Sequence, residues 1–281
     1  MKERVMKGIF AISAGFSALS ALVIFVFLLH KGLPAIEEIG FLNFVTGKIW
    51  KPETEQFGIY PMILGSAYVT GGAIVLGVIP SVLTAVFIVW FCPEKFCKIV
   101  GFAIDVMASI PSVIYGLFAL MVLVPAIREV TGESGKNIIT ASVTLAIMIM
   151  PTVISVSEAA IRTVPSQYYR GALALGATHE KSIFSIVLPA AKSGLTTGVV
   201  LGMGRAVGET MAVVMVAGNQ PAVPRSLLSG VRTLTANIVL EMGYAAEGLH
   251  RDALIATGVI LVVFVFVAQL SLSLFDKREK G

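Results

Sequence analysis

The chain has 281 residues, of which 56% are hydrophobic and only 14% charged, with a mean hydropathy of +0.89 and a formal net charge of +4. Soluble domains carry about a quarter charged residues, so this composition excludes a water-soluble globular protein and makes lipid the expected solvent. The pI near 9.1 needs no nucleic-acid partner if the basic residues are sorted by membrane side.

Apolar blocks of roughly 20 or more residues, enough to cross about 30 Å of hydrocarbon, predict six spans at 8–30, 61–91, 99–127, 137–156, 188–217 and 253–275. The first follows Lys2, Arg4 and Lys7, but its apolar run exceeds that of a signal peptide. No small-residue cleavage site precedes His30 and Lys31, so the segment reads as a retained anchor helix. Residues 1–60 thus comprise this anchor and an external loop, in which Trp50, Pro52, Phe57 and Tyr60 form an interfacial mix. The loops at 32–60 and 218–252 are long for plain connectors; they read either as a docking surface for an external partner or as lids packed on the helix ends. Cys92 and Cys97, beside Glu94, Lys95 and Lys98, lack a second ligand pair and are expected to hold no metal.

Placing both termini in the cytoplasm puts twelve basic and six acidic residues inside, against eight and nine outside. That is the asymmetry expected of a membrane protein whose positive loops stay in the cytosol. The residues at 276–281 form a cytoplasmic tail.

In span three Asp105, Ser109, Ser112 and Gly116 share one helical face, a polar stripe that marks possible path-lining residues. The plainer reading of Asp105 is a hydrogen-bonded residue near the inner interface. The largest inner loop, 157–187, reads helix, turn, helix. Glu158 to Arg162 continue span four, Pro165 punctuates, Gln167 to Gly176 form a second helical stretch, and Thr178 caps a further short helix through Lys181 and Ile183. A short amphipathic helix on the cytosolic side suits insertion into a groove of a soluble partner.

Span five carries Gly194, Gly198, Gly202, Arg205 and Glu209. At about 100° per residue all five fall on one face. Glycines at four-residue spacing admit a close helix neighbour, so Arg205 and Glu209 are expected to face protein or water. Ionisable groups at mid-membrane cost about 2.5–3.5 kcal/mol each on insertion scales and tend to mark transport paths or ion pairs. The two lie one turn apart, so they can pair when the path is empty; an arriving oxyanion would then compete with Glu209 for the guanidinium, whose donor fork matches oxyanion oxygens. A buried salt bridge that only fixes helix packing is the competing reading. Thr210 is a further path-lining candidate.

No phosphate-cradling ATPase loop is present, because Gly135-Lys136 is followed by Asn137 and lacks the upstream glycine. A membrane enzyme is disfavoured as well: His30, His179 and His250 fall in loops or at span ends, and the spans hold no metal-ligand cluster and no nucleophile with its base.

Gly176 followed at the proper distance by Ile186, Val187, Leu188 and Pro189 resembles the cytoplasmic-loop signature of ABC importer permeases. At the preceding positions Arg170, Gly171 and Ala172 stand where the family has Glu-Ala-Ala, and only the last agrees. The string Gly204 to Ala212 resembles the fifth-span motif of PstC-type phosphate permeases, as do Phe57 to Pro61, Ser109 to Ser112 with Tyr115-Gly116, and Met215 to Asn219. This resemblance covers nearly everything from Phe57 to the C-terminus. It implies an all-α integral membrane fold of six transmembrane helices, the type-I ABC importer (MetI-like) permease fold, with the permease domain at 61–275 and both termini cytoplasmic. It implies that Arg205 and Glu209 serve phosphate translocation, and that the loop 157–187 couples to an ATPase through Gly171, Ala172, Gly176, Ala177, Thr178, Ile186, Leu188 and Pro189. The implied partners are a PstA-like second permease, a dimer of PstB-like ATP-binding subunits that use ATP and Mg, and a PstS-like external binding protein. The chain itself is expected to hold no cofactor and to sit in the cytoplasmic membrane. Import of another oxyanion such as molybdate or sulfate, or the PstA-type role, are the alternatives.

Overall fold

The computed structural model describes the backbone of residues 2–278 and the side chains of residues 6–271. The tail at 276–281 lies outside the residues whose side chains are described. In chain order the elements are α1 (Lys2–Ile39), α2 (Phe41–Thr46), a two-stranded antiparallel ribbon β1 (Trp50–Lys51) and β2 (Gln56–Phe57), α3 (Tyr60–Val86), α4 (Glu94–Ser109), α5 (Ser112–Phe118), α6 (Val124–Thr131) and α7 (Ile138–Thr163). There follow α8 (Ser166–Ala174), α9 (His179–Ser182), α10 (Leu188–Gly208), α11 (Met211–Val216), α12 (Leu234–Met242) and α13 (Leu249–Arg278). Wide turns at Phe87–Phe91, Ala119–Leu123 and Ile183–Val187 prolong or join α3, α5 with α6, and α9 with α10.

Among the described residues six helices are long and apolar enough to cross a membrane: Met6–Ile39, Tyr60–Phe91, Ser112–Thr131, Ile138–Thr163, His179–Gly208 and Leu249–Ser271. Two of the predicted spans are not continuous helices. The one expected at 99–127 breaks at Ile110-Pro111, where Ile110 (ψ 125) and Pro111 (ψ 141) leave the helical region. Proline has no N–H to donate and drives the residue before it out of the α conformation, so α4 ends and the crossing helix starts at Ser112. The one expected at 188–217 breaks at Glu209 (ψ 126), between α10 and α11.

The chain divides into two compact units, residues 1–60 with 238–263 and residues 61–237 with 264–281. In the larger unit α7 is central: 67% of its spanning window is buried, against 0% for that of α1. Its buried Ala141, Leu145, Met148 and Ile149 pack with Val69 and Ala73 of α3, Tyr115 and Ala119, and Val213 and Val216 of α11. Close approach explains the small residues along α10. A Cβ on Gly202 would meet Val153 Cγ2 at 2.6 Å, one on Gly198 would meet Ser157 Oγ at 3.3 Å, and one on Gly194 would collide with the Cβ of Ala160. All three partners belong to α7. The segment after α11 returns to the same unit: Val231 N donates to Ala217 O (2.8 Å), and Leu234 N donates to Ser66 Oγ (3.0 Å).

In the smaller unit the ribbon packs its aromatic residues around one carboxylate. Trp50 Nε1 donates to Glu241 Oε2 (2.7 Å), His250 Nε2 lies 3.0 Å from the same oxygen, and the Phe57 and His250 rings stack at 6.1 Å. Glu241 is buried, and these partners offset the cost of burying its carboxyl group.

Candidate functional site

Arg205 lies in the last turn of α10, on the face that the glycines turn toward α7, and it is half-buried. One of its terminal nitrogens donates to Thr152 Oγ1 of α7 at 3.0 Å. Thr152 follows Pro151, so the span-four proline and the partner of Arg205 are neighbours.

Glu209 is placed differently from a residue one turn along a straight helix. The chain leaves α10 at this residue, and its carboxylate Oε1 turns forward to accept the backbone N–H of Ala212, 3.1 Å away, in the first turn of α11. Its own carbonyl, freed by the break, accepts from Thr235 Oγ1 (3.3 Å). Among the described residues no ion pair joins Arg205 to Glu209. The expected pairing is thereby corrected: the helix ends before Glu209, and each group has a separate, nearer partner. Thr210, half-buried, stands between the two helices with its hydroxyl on Gly208 O (3.3 Å). The guanidinium thus keeps an unneutralised charge, a neutral hydroxyl partner and further donors, next to a break in the helix.

The stripe of Asp105, Ser109 and Ser112 is divided by the turn at Ile110-Pro111. Asp105 is exposed on α4 with its carbonyl taken by Ser109 Oγ (2.8 Å), whereas Ser112 is half-buried at the start of α5. Tyr115 ties the two helices by donating from its hydroxyl to Met107 O (2.7 Å), and Gly116 sits against Ala212 of α11.

The inner loop folds as a helical turn-helix. α8 ends on Gly176, which has φ +85°. Gly176 N donates to Leu173 O (2.9 Å) and Ala177 N to Ala172 O (3.1 Å), the paired closing bonds that a left-handed residue after a helix makes possible. Nothing crowds a Cβ at Gly176. Glycine is therefore required by the backbone angle and not by space. Thr178 Oγ1 caps α9 by accepting Lys181 N (3.3 Å). Gly171 and Ile186 are exposed, Pro189 is exposed at the start of α10, Leu188 and Ala177 are half-buried, and Ala172 is buried. Tyr168 and Leu175 are exposed apolar residues on the same loop, Leu175 at 91%. The loop is fastened to the end of α3 by an aromatic group: Trp90 and Tyr169 rings lie 4.5 Å apart, and the Tyr169 hydroxyl meets His179 Nδ1 at 2.7 Å. At the neighbouring turn Cys92 is pushed up to about 11, by desolvation first and then by its interactions with Cys97, so it remains a thiol at neutral pH and supplies no nucleophilic thiolate.

Residues 57–281 match the family described as binding-protein-dependent transport system inner membrane component. The chain belongs to this family. Its members in curated collections include the phosphate transport system permease protein PstC of Mesorhizobium japonicum, 33% identical over 268 residues covering 87% of this chain and 82% of that protein. The probable ABC transporter permease protein YqgH of Bacillus subtilis is also 33% identical, covering 93% of this chain and 86% of its own. Among solved structures, an inward-facing MetNI methionine ABC transporter chain aligns with a TM-score of 0.61 at 17% identity, over 82% of this chain and 99% of that one. A bacterial alginate ABC transporter in complex with alginate-bound periplasmic protein aligns at 0.67 and 17% identity, over 98% and 96%. At these identities the structures speak for the fold alone: mostly helical and MetI-like, with six helices among the described residues long enough to cross a membrane. As a family member the chain is a multi-pass protein of the cytoplasmic membrane.

Sequence reasoning missed Thr152 and Thr235. Thr152 is one of several serines and threonines in an apolar span, among them Thr140, Ser142, Thr144 and Ser155, and nothing local distinguishes it from them. Thr235 lies in a stretch read as an external loop, and nothing local marks that the stretch packs back onto the bundle.

Proposed function

We propose that this chain is the PstC-type permease subunit of an ATP-driven importer that carries inorganic phosphate across the cytoplasmic membrane. The observation that carries the reading is Arg205: an intramembrane guanidinium, half-buried, hydrogen-bonded to a neutral hydroxyl and placed at a helix break. Leaving such a charge without a carboxylate inside a membrane protein is costly, and a passing oxyanion is the partner that its planar donor fork fits. Relatives named as phosphate permeases of the PstC type, across several bacteria at 30–33% identity, support phosphate over another oxyanion and the PstC-type over the PstA-type role.

In this reading phosphate arriving from an external binding protein enters between this permease and a second one and is received by Arg205. Glu209 holds α11 in register and limits how long the anion stays. ATP and Mg act on a separate ATPase dimer, whose closure moves the loop of α8 and α9 and rocks the permeases between inward and outward states. Exposed Tyr168 and Leu175 supply the apolar contacts for that docking.

The test is to purify the chain with its neighbours in detergent and reconstitute them in vesicles. The reading expects an ATPase and a second permease to co-purify and labelled phosphate to accumulate only with ATP. Accumulation of molybdate or sulfate in place of phosphate would replace the cargo, and absence of an ATPase would reject the class.

A further inference from the structure

Between its first two crossing helices the chain builds a cleft that carries charge of both signs. The first of these helices ends at Ile39, and the second starts at Tyr60. Backbone bonds stitch the residues between them together: Gly58 N donates to Ile49 O (2.8 Å), Ile59 N to Phe44 O (2.9 Å) and Tyr60 N to Gly47 O (3.1 Å). The two glycines approach so closely that a Cβ on Gly47 would meet Gly58 Cα at 2.8 Å. α2 and the ribbon are thereby held as one piece. In it lies a cavity of about 400 Å³ whose lining includes Ile39, Asn43, Lys48, Ile49, Glu55 and Gln56, within the range of small-molecule sites, about 300–1,000 Å³.

Among the described residues the side chains of Asn43, Lys48, Glu55 and Gln56 make no hydrogen bond and no ion pair, with each other or with a neighbour. Glu55 sits at φ +54°, a conformation that glycine or asparagine adopts at less cost, so the position keeps its carboxylate against the local backbone preference. Lysine only donates and brings positive charge, a carboxylate only accepts and brings negative charge, and the two amides do both. An anion alone, inorganic phosphate included, meets Lys48 but is repelled by Glu55. A molecule with a phosphodiester at one end and a primary ammonium at the other satisfies both through charge-assisted hydrogen bonds; a trimethylammonium has no N–H to give to the carboxylate. The surroundings supply the source. Phe41 (58%), Leu42 (71%) and Ile49 (53%) are exposed on the same piece, and apolar side chains exposed beside the end of a crossing helix belong in the interfacial layer of the bilayer. A phospholipid brings both the zwitterion and the acyl chains that such side chains contact.

We infer that the cleft between α2 and the ribbon binds the headgroup of a zwitterionic phospholipid with a primary ammonium, its phosphate on Lys48 and its ammonium on Glu55. The charge asymmetry of the loops puts this piece outside, so the lipid belongs to the outer leaflet. Such a site requires the membrane fold and is independent of the cargo.

The test counts bound lipid by mass spectrometry of the full chain, purified in detergent with its accompanying subunits, stripped of lipid and titrated with phosphatidylethanolamine, phosphatidylcholine or phosphatidylglycerol. Wild type is expected to retain phosphatidylethanolamine about tenfold better than either of the others, the worth of one hydrogen bond to a charged group. This comparison needs no variant to fold. Glu55→Gln is expected to abolish the preference over phosphatidylglycerol, and Lys48→Ala to weaken retention of all three, at an unchanged melting temperature because both side chains are exposed. Equal retention of the three lipids by wild type, or a preference that survives both substitutions, overturns the site. Displacement of the lipid by an equal concentration of soluble glycerophosphoethanolamine overturns the membrane as its source. Loss of an external protein's docking in these variants, with lipid retention unchanged, makes the cleft a protein contact and overturns the lipid site as well.

Discussion

Glu209 has two ties in this structure, and they separate its structural from its transport role. Its carboxylate caps α11 at Ala212 N, and its carbonyl is taken by Thr235. Gln can still accept the Ala212 N–H, so Glu209→Gln is expected to leave the melting temperature of the purified complex within error and to reduce phosphate uptake. Ala cannot, and Glu209→Ala is expected to cost about 1 kcal/mol more through the lost cap. If Gln supports full uptake, the residue is a cap and nothing else. Thr235→Val leaves the Glu209 carbonyl unpaired; a loss of about 1–3 kcal/mol is expected, seen as earlier unfolding in urea, with Thr235→Ser restoring it.

At the scale of elements the inner loop offers a clean backbone test. Gly176 holds φ +85° in open space. An L-residue there is strained by about 1–2 kcal/mol, whereas Asn tolerates the conformation. Gly176→Ala is therefore expected to weaken co-purification of the ATPase, and Gly176→Asn to retain more of it than Ala; equal loss from both would point to size at the docking surface as the cause. On α10 the opposite logic holds. Gly202 has a normal backbone, but a Cβ would press on Val153, so Gly202→Leu is expected to overpack the α7–α10 contact by about 1–3 kcal/mol, read as a lower melting temperature.

These two glycines also explain how much was legible beforehand. Spacing alone placed Gly194, Gly198, Gly202 and Arg205 on one face, and the structure turns that face to α7. Thr178 as a cap and Pro165 as a break were likewise local signals, and local physics decided them. The interruption at Ile110-Pro111 was visible in principle, because proline restricts its predecessor, but a long apolar run masked it. The break at Glu209 was not visible: Gly-Glu-Thr is weakly helix-breaking, and what stabilises the bend is a hydroxyl 26 residues later in sequence. Long-range partners of this kind are also why Thr235 passed for a loop residue.

For the whole molecule the charge distribution and the fold agree on a permease with six crossing helices, and the family assignment places it in the cytoplasmic membrane. In the smaller unit Trp50 and His250 share the buried Glu241, fastening the ribbon to the start of the last helix. Glu241→Leu removes the acceptor of both and is expected to loosen residues 50–57 to proteolysis while leaving the larger unit intact. The central claim concerns the intramembrane cation. It is tested most directly by ATP-dependent accumulation of labelled phosphate in vesicles holding the complete complex, with wild type compared with Arg205→Ala at equal assembly and equal ATP hydrolysis. The account predicts that accumulation disappears in the variant; accumulation at the wild-type rate would contradict it and make Arg205 a packing residue.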